Sequence, residues 1–401
     1  MDYTSLFADV VKRSKASAIR ELLKVIAQPD IISFAGGLPD PALFPVDEIA
    51  TIMKSVVEKY PQASLQYGST EGQEMLKKEL ITLLQETEGI TARAEQLLVV
   101  SASQQALDMS ARIFVNPGDA IITASPTYLG ALQAFQVVGA DIIGAASDEN
   151  GILPQDVEAK LRVLKEQGKP CKFIYLVPDF QNPTGTTIPE ERRVEILKLA
   201  KKYGTFILED SPYRQVRFEG TSPRTFYALD EGHGNVITMF TFSKVFVPGF
   251  RLGFILGPED VIRKYVILKQ AMDLCTSSVL QLATAQYLHS GHLKAHVDEL
   301  IVAYRQKRDL MLKTLQEVMP KGVSWTRPEG GLFLWLTLPK HMDASALLPK
   351  AVENKVAYVA GVDFYPDARA KNDIRLNFSY STHEQIVQGL KRLAQTIQEN
   401  M

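Results

Sequence analysis

Between residues 97 and 240 the sequence alternates short apolar segments with longer amphipathic ones, and this alternation restricts the possible folds more than any other feature. The apolar segments are rich in Ile, Val and Phe, as buried strands are, and the segments between them have helical spacing. The predicted strands are 97–100, 120–123, 173–177, 205–208 and 236–240, and the predicted helices are 104–114, 130–138 and 189–203. This pattern is typical of an α/β fold with a mostly parallel sheet covered by helices on both faces. In such folds a ligand binds at the carboxyl ends of the strands.

The segments on either side of this region follow other patterns. Residues 1–30 have apolar side chains at helical spacing (Ile19, Leu22, Leu23 and Ile26), and residues 31–45 form a loop rich in glycine and proline. The remaining predicted helices are 46–59, 72–88, 292–318, 344–353 and 383–399, and the remaining strands are 323–326, 332–338, 356–359 and 374–379. We therefore predict an N-terminal helix and loop at 1–45 that packs on the site, a large domain at 46–290 and a smaller α+β domain at 291–401.

The composition excludes several classes of function. The chain has 401 residues, of which 46% are hydrophobic and 22% are charged, and its net charge is −2. A soluble globular protein has this balance, whereas a general binder of nucleic acid or of anionic membranes needs a basic surface. Cys171 and Cys275 are far apart in sequence, so the pattern predicts neither a disulfide framework nor a metal site and favours a reducing compartment. Since no secretory signal or membrane-spanning segment is recognisable, we expect a cytoplasmic location.

A lysine follows the last of the predicted parallel strands, in a segment that runs from Ser243-Lys244 to Pro248-Gly249-Phe250-Arg251. Phenylalanines at 242, 246 and 250 would shield Lys244 from water, and burial favours the neutral amine, which is the nucleophilic form. Ser243 and Arg251 offer a hydroxyl and a guanidinium group that suit a phosphate. The segment therefore predicts a lysine that forms a Schiff base with a phosphorylated aldehyde, pyridoxal 5′-phosphate (PLP). The alternative is an ordinary solvated loop lysine.

Polar groups follow three other predicted strands. Ser103 and Gln104 lie where a helix begins after the strand at 97–100, and exposed N–H groups at a helix start bind anions. Asn182, in Asn-Pro-Thr-Gly, can direct an amide at a ligand, and Asp210 can hold a proton on a pyridine nitrogen, which makes PLP an electron sink. Tyr213 can donate a hydrogen bond to the phenolic oxygen of the ring. Each group also has a structural alternative, namely a helix cap for Ser103 and Asp210 and a tight turn for Asn182.

Arg375 lies within the apolar strand predicted at 374–379. A buried arginine needs a carboxylate, which comes either from the protein or from a ligand. Because the other groups imply an amino acid as ligand, we interpret Arg375 as the group that binds its carboxylate.

These motifs, in this order, resemble the fold-type I PLP-dependent aminotransferases of class I/II. The resemblance is greatest to the branch of the 2-aminoadipate, kynurenine and aromatic aminotransferases, and it extends from the segment at 17–20 to Arg375. Its most specific parts are Asn-Pro-Thr-Gly at 182–185, Asp-x-x-Tyr at 210–213 and Ser-Lys-x-x-x-Pro-Gly-x-Arg-x-Gly at 243–253. The bulky residues at 245–247 depart from the small residues that are usual there. The resemblance implies an aspartate aminotransferase-like fold with a large PLP-binding domain and a smaller domain.

The resemblance also implies a role for each site residue. Lys244 would bind the cofactor and carry the proton, Asp210 would pair with the pyridine nitrogen, and Arg375 would bind the substrate carboxylate. The remaining implied contacts are the phenolic oxygen of PLP for Asn182 and Tyr213, its phosphate for Ser103, Gln104, Ser243 and Arg251, its ring face for Tyr128, and the phosphate in the neighbouring subunit for Tyr67. Gly37, in the N-terminal loop, and Asn182 would contact the substrate, and Tyr67 implies a homodimer with shared sites.

We therefore expect an aminotransferase that moves the amino group of an L-amino acid to a 2-oxo acid, with 2-oxoglutarate as the expected acceptor and ping-pong kinetics. A PLP-dependent β-lyase or decarboxylase is the alternative, because the same fold and cofactor serve several reactions. A PLP-sensing regulator would need a helix-turn-helix domain, and no such pattern or basic patch precedes residue 46. The resemblance also implies that the N-terminal helix and loop border the side-chain pocket, where Arg20 would turn toward acidic substrates and away from apolar ones; the alternative is a solvated helix residue.

Overall fold

The structure, a computed structural model, describes residues 3–13 and 30–401. The strands of these residues are β1 Ile32–Ser33, β2 Leu97–Val100, β3 Ala120–Ser125, β4 Asp141–Asp148, β5 Gly151–Ile152, β6 Cys171–Leu176, β7 Phe206–Asp210, β8 Val236–Thr241, β9 Gly253–Leu256, β10 Ser324–Trp325, β11 Phe333–Thr337, β12 Val356–Ala357, β13 Val359–Ala360 and β14 Asp373–Asn377.

The α-helices of the described residues surround these strands. They are α1 Asp9–Arg13, α2 Val46–Lys59, α3 Pro61–Leu65, α4 Glu74–Glu88, α5 Ala102–Phe114, α6 Leu129–Val138, α7 Pro154–Glu166, α8 Glu190–Tyr203, α9 Phe226–Asp230, α10 Glu259–Met272, α11 Ser278–His289, α12 His292–Val318, α13 Ala344–Glu353 and α14 His383–Gln398. None of the helices in this part of the chain is both long enough and apolar enough to cross a membrane.

The large sheet has the strand order β2-β9-β8-β7-β6-β3-β4-β5. Its central strands β8, β7, β6, β3 and β4 are parallel to one another, whereas β9 is antiparallel to both β2 and β8. Two antiparallel steps restore the original direction, so β2 runs the same way as β8. The carboxyl ends of β2, β8, β7 and β6 therefore lie at one edge of the sheet, and the α/β fold with a mostly parallel sheet is confirmed.

Most strands of this sheet are buried because helices cover both of its faces. Every residue of β2 and β3 is buried, and β6 and β8 each have one residue that is partly exposed. Each fully buried Ile, Leu or Val side chain contributes roughly 1.5–3 kcal/mol through removal of apolar surface from water. This rigid layer fixes the positions of the side chains that follow the strand ends.

Several elements differ from the sequence prediction. The prediction had no strands at β1, β4, β5 and β9 and no helices at α3, α7, α9, α10 and α11. Strand β1 lies within the segment 31–45, which was predicted to be a loop. In β4 only one of eight residues is fully buried, so its apolar pattern is weak. Strand β9 was missed because it begins just after Pro248-Gly249, in a segment that was interpreted as part of the lysine motif. The single strand predicted at 356–359 is two strands, because β12 pairs with β1 while β13 pairs with β14 in another sheet.

A second sheet, with the antiparallel order β10-β11-β14-β13, is formed by the C-terminal part of the chain. The N-terminal segment joins this part, since β1 pairs in parallel with β12. The division into 1–45, 46–290 and 291–401 stays a prediction. Of the helix predicted within 1–30, α1 is described, whereas the apolar positions from Ile19 to Ile26 lie outside the described residues.

Asp179, in the loop that follows β6, is the centre of a buried ion-pair cluster. Its carboxylate contacts Arg193 at 2.7 Å, Arg214 at 3.1 Å and Arg217 at 3.6 Å. Burial alone would raise the pKa of Asp179, but the three guanidinium groups outweigh burial and lower it. The cluster fixes the start of the loop that carries Asn182.

We predict that Asp179→Ala lowers the free energy of unfolding by about 3–5 kcal/mol, because it leaves buried arginines without their counter-charge. Urea unfolding measured beside the parent protein tests this. Since the pKa of Asp179 is lowered in the folded state, its contribution is present above its unfolded pKa and is lost as the pH falls below about 4. The difference between variant and parent should therefore shrink in acid.

The matched control is Asp367→Ala, which removes an exposed aspartate that pairs with the exposed Arg369. Exposed pairs contribute about 0–1 kcal/mol, so this variant should unfold almost as the parent does. Equal losses in the two variants would contradict the structural role of Asp179.

Candidate active site

A cavity of about 590 Å³ lies at the carboxyl edge of the large sheet. Residues from the strand ends, the N-terminal loop and the second sheet line it together. Of the predicted site residues that the structure describes, all except Tyr67 are among them: Gly37, Ser103, Gln104, Tyr128, Asn182, Asp210, Tyr213, Ser243, Lys244, Arg251 and Arg375. The fold therefore brings together groups that lie in distant parts of the sequence, as Gly37 and Arg375 do.

Lys244 lies in a short 3₁₀ turn directly after β8. Its Nζ atom donates a hydrogen bond of 2.8 Å to the carbonyl oxygen of Gly37. Burial lowers the pKa of Lys244 to about 8, and the positive charges of Arg375 and Arg251 add to this effect, while Asp210 opposes it. At neutral to mildly alkaline pH a useful fraction of this amine is therefore neutral and nucleophilic.

Asp210 is the last residue of β7, and its two carboxylate oxygens have different surroundings. Oδ2 accepts a hydrogen bond of 2.9 Å from the hydroxyl of Tyr175, whereas the buried Oδ1 has no partner among the described residues. Burial raises the pKa of Asp210 to about 7; the Tyr175 hydroxyl and Lys244 act against this rise, and Glu209 adds to it. A buried acceptor without a donor is unfavourable, and a protonated pyridine nitrogen would satisfy it.

The other end of the cavity is suited to an anion. Helix α5 begins at Ala102, so the unpaired N–H groups of its first turn lie beside Ser103 and Gln104. Ser243 accepts a hydrogen bond of 3.2 Å from Nη1 of Arg251. Gly253 is required here, because a Cβ atom at that position would lie 2.5 Å from the carbonyl oxygen of Phe240 and 3.1 Å from the Cα atom of Ala102. Helix start, hydroxyl groups and guanidinium group together fit a phosphate.

Arg375, on β14, is a buried cation that is 1% exposed. Its Nη1 atom donates to Oδ1 of Asn182 at 2.9 Å and its Nη2 atom donates to the carbonyl oxygen of Ala35 at 2.6 Å, so both acceptors are uncharged. Its Nε atom is buried without a partner in the part of the chain that the structure describes. Burial lowers the pKa of Arg375 to about 10. A guanidinium group in this state is suited to a carboxylate from a ligand.

Aromatic side chains border the same cavity. The guanidinium carbon of Arg375 lies 4.4 Å from the ring centre of Phe333, and Phe333 in turn contacts the edge of Tyr213. Burial raises the pKa of Tyr213 well above its usual range, so its hydroxyl stays protonated and can donate. Asn182 donates to this hydroxyl at 3.5 Å, and Tyr128 donates to Oε1 of Gln104 at 3.4 Å.

The N-terminal segment 34–40 closes one side of the cavity. The carbonyl oxygens of Ala35 and Gly37 accept hydrogen bonds from Arg375 and Lys244, and the segment is anchored beyond them by Asp40, whose carboxylate lies 2.6 Å from Nζ of Lys307. A Cβ atom at Gly37 would lie 3.1 Å from Phe333, so the close approach of this segment favours glycine there.

One predicted site residue lies elsewhere, and another falls outside the part of the chain that the structure describes. Tyr67 is 79% exposed and does not line the cavity of its own chain. Arg20 lies outside the described residues. The sequence interpretation also missed residues that the structure places at the site. Thr241 and Phe333 line the cavity, and Tyr175 contacts Asp210. A tyrosine in an otherwise apolar buried strand was the available signal, because its hydroxyl needs a partner.

The residues that line the cavity fit PLP. The amine of Lys244, the unpartnered oxygen of Asp210 and the anion site at the start of α5 match the aldehyde, the pyridine nitrogen and the phosphate of that molecule. Arg375 lies in the same cavity and adds a site for a carboxylate. A site that binds PLP together with an amino acid needs this combination of groups.

Comparison of the whole sequence with known proteins gives an independent result. The family model described as aminotransferase class I and II matches residues 32–393. The chain is 44% identical over 401 residues to aromatic-amino-acid aminotransferase 1 of Thermococcus litoralis, and the alignment covers 100% of this chain and 96% of that relative.

Two solved structures have the same fold along the whole chain. Kynurenine aminotransferase of Pyrococcus horikoshii, in complex with PMP, has a TM-score of 0.96 and 43% identity, with 100% of this chain and 98% of that chain covered. The α-aminoadipate aminotransferase of Thermus thermophilus, in complex with N-(5′-phosphopyridoxyl)-L-leucine, has a TM-score of 0.91 and 33% identity, with 100% of this chain and 99% of that chain covered.

The electrostatic surroundings of Lys244 yield a prediction about its pKa. Because the charge of Arg375 contributes to the lowered pKa of Lys244, Arg375→Met should raise that pKa above the value of about 8 expected in the parent. The pH dependence of labelling of Lys244 by an amine-reactive reagent, followed by peptide mass spectrometry on cofactor-free protein, measures it. Arg369→Met, which removes an exposed arginine, should leave the midpoint unchanged. An unchanged midpoint in Arg375→Met would mean that its charge does not reach Lys244.

Proposed function

This chain belongs to the class I and II aminotransferase family and uses PLP to transfer amino groups; from this premise we propose that it takes aromatic and 2-aminoadipate-type L-amino acids as donors and 2-oxoglutarate as acceptor. The observation that carries the proposal is Arg375, a buried cation with uncharged acceptors that lines the same cavity as Lys244 and Asp210. Such a group favours substrates with an α-carboxylate. The names of the relatives support the donor classes.

In this proposal each cavity residue has a defined task. PLP, when bound in this cavity, would supply the electron sink that acidifies the α-carbon of the amino acid. Lys244 accepts the α-proton as a neutral amine and returns it, and its pKa of about 8 suits both directions of transfer. Asp210 keeps the pyridine nitrogen protonated through its Oδ1 atom, which has no other partner among the described residues. Arg375 orients the substrate by binding its carboxylate, with Asn182 and Gly37 beside it.

The remaining residues hold the cofactor in place. Tyr213 and Asn182 would donate hydrogen bonds to the phenolic oxygen of PLP, and Tyr128 would cover the face of its ring. The phosphate would be bound by residues that line the cavity around the start of α5 and the end of β8: Ser103, Gln104, Ser243 and Arg251. This assignment favours amino-group transfer over β-elimination or decarboxylation because the family and the relatives named above are aminotransferases.

The side-chain pocket is proposed to accept both acidic and apolar substrates. Leu38 lines the cavity and is 48% exposed, so it offers apolar surface to an aromatic or aliphatic side chain. Arg20 is proposed to pair with the distal carboxylate of 2-oxoglutarate or 2-aminoadipate and to turn away from apolar substrates. A fixed buried cation would reject apolar substrates because of its desolvation cost.

We also propose a homodimer in which Tyr67 contacts the phosphate in the site of the partner. Its ring is 79% exposed and outside its own cavity, as expected for a residue that acts in a second copy. The two free cysteines are consistent with the proposed cytoplasmic location.

The substrate assignment predicts ping-pong kinetics when a panel of L-amino acids is assayed as donors with 2-oxoglutarate as the acceptor.

Arg20→Ala should raise KM for dicarboxylic substrates about tenfold or more, the order expected for loss of a charge-assisted hydrogen bond. The half-reaction with aromatic donors, followed in single turnovers, should change much less. Equal losses for both classes of substrate, or no loss for either, would remove Arg20 from the site, and failure of 2-oxoglutarate as acceptor would refute the proposed acceptor.

The shared-site proposal predicts complementation between two inactive or weakened variants. Lys244→Ala lacks the essential amine, and Tyr67→Ala should retain PLP poorly. If Tyr67 acts across the interface, a mixed dimer contains one site with both Lys244 and Tyr67 intact. Mixing the chains under conditions that exchange subunits should then restore PLP retention and activity, measured beside each homodimer. No recovery despite subunit exchange, or an active monomer, would contradict the shared site.

A further inference from the structure

Tyr175 occupies a position from which it can control the carboxylate of Asp210. It lies within β6, is fully buried, and pairs with Leu208 of the neighbouring strand β7. Alternate residues of a strand point to the same face, so Asp210 lies on the face of Leu208, one step further toward the cavity. The Tyr175 hydroxyl donates to Oδ2 of Asp210 at 2.9 Å, and its ring packs edge-on against Phe135.

We propose that Tyr175 is a positioning residue of the reaction: its hydroxyl holds Oδ2 of Asp210, so that Oδ1 remains free to face the pyridine nitrogen of PLP. This inference rests on the proposed role of Asp210. The observation that carries it is the asymmetry of the carboxylate, in which Oδ2 is bound by Tyr175 while the buried Oδ1 has no partner within the described ranges 3–13 and 30–401.

The charged groups around Asp210 explain why a neutral hydroxyl matters there. Burial raises the pKa of Asp210 to about 7, and the neighbouring Glu209 contributes to this rise, while Lys244 opposes it. Glu209 is turned to the other side of the strand, where it accepts from the backbone N–H of Phe226 and from Thr238. Among the groups that lower the pKa of Asp210, the Tyr175 hydroxyl has a larger effect than Lys244.

Tyr175 is suited to this task because it remains a donor at every working pH. Burial raises its pKa well above the usual range, and the nearby Asp210, Tyr128 and Tyr213 have the same effect. A hydroxyl that stays protonated can donate to a carboxylate, which has only acceptor oxygens. Removal of this hydrogen bond should let the pKa of Asp210 rise further, so that the carboxyl is protonated over more of the neutral range and loses its attraction for a protonated pyridine.

The test compares Tyr175→Phe with the matched control Tyr265→Phe in the full-length protein. Tyr265 is equally buried, and its hydroxyl shares a hydrogen bond of 2.7 Å with Ser110, outside the cavity. Both variants keep the ring and lose one buried hydroxyl, so both should fold and have similar melting temperatures. A purely structural role of Tyr175 would make the two variants behave alike in every other measurement.

The measured quantity is the affinity of cofactor-free protein for PLP and for 1-deaza-PLP, in which carbon replaces the ring nitrogen. Tyr175→Phe should bind PLP about tenfold more weakly, the order expected for a hydrogen bond to a charged group, while its affinity for the deaza analogue should equal that of the parent. The acidic limb of the pH profile for PLP binding should also move to higher pH. Tyr265→Phe should change neither affinity nor profile.

Asp210→Asn separates failure of this inference from failure of the proposed function. If Asp210→Asn loses the preference for PLP over the deaza analogue, Asp210 contacts the nitrogen, and normal behaviour of Tyr175→Phe would then overturn only the role of Tyr175. If Asp210→Asn keeps the preference, the proposed role of Asp210 is wrong. Equal weakening of PLP and deaza-PLP by Tyr175→Phe would show a general packing defect and would overturn the inference.

Discussion

Burial of charged groups with too few partners is the constraint on which this site depends. Lys244, Asp210 and Arg375 line one cavity, and burial shifts the pKa of each toward its neutral form. Removal of such groups from water is unfavourable unless a ligand or a neighbouring dipole replaces the lost hydration. This unfavourable burial favours binding of a ligand: in the proposed site the aldehyde of PLP would react with Lys244, its pyridine nitrogen would pair with Asp210, and the carboxylate of an amino acid would pair with Arg375.

The rest of the fold keeps this arrangement from relaxing. The parallel sheet fixes the ends of β6, β7 and β8 because their neighbours and both covering layers of helices hold them in place. The ion-pair cluster of Asp179 holds the loop that presents Asn182. The N-terminal segment 34–40 follows β1, which pairs with β12, and is tied to Lys307 through Asp40. These three sets of contacts lie outside the cavity. They therefore hold the residues around it in place without using the polar groups that line it.

The contacts of segment 34–40 connect substrate binding with cofactor binding. Its carbonyl oxygens at Ala35 and Gly37 accept hydrogen bonds from Arg375 and Lys244, the cations proposed to bind the substrate and the cofactor. A ligand that engages either cation competes for these donors. Segment 34–40, which lines the cavity through Gly37 and Leu38, therefore contacts both of these cations.

Sequence by itself determined the order of the strand-end motifs and, with it, most of the site. Short apolar strands, Asn182 before a proline, Asp210 near a tyrosine and Lys244 after the last strand are local features, and local features can be read from spacing. The bounds of α2 and α12 were also predicted correctly, because uninterrupted helical periodicity is a strong signal. Only the tertiary structure decided which groups meet. It placed Tyr175 against Asp210, gave Arg375 uncharged acceptors and divided 356–360 between two sheets, because these contacts join residues that are distant in the chain and have no periodicity in common.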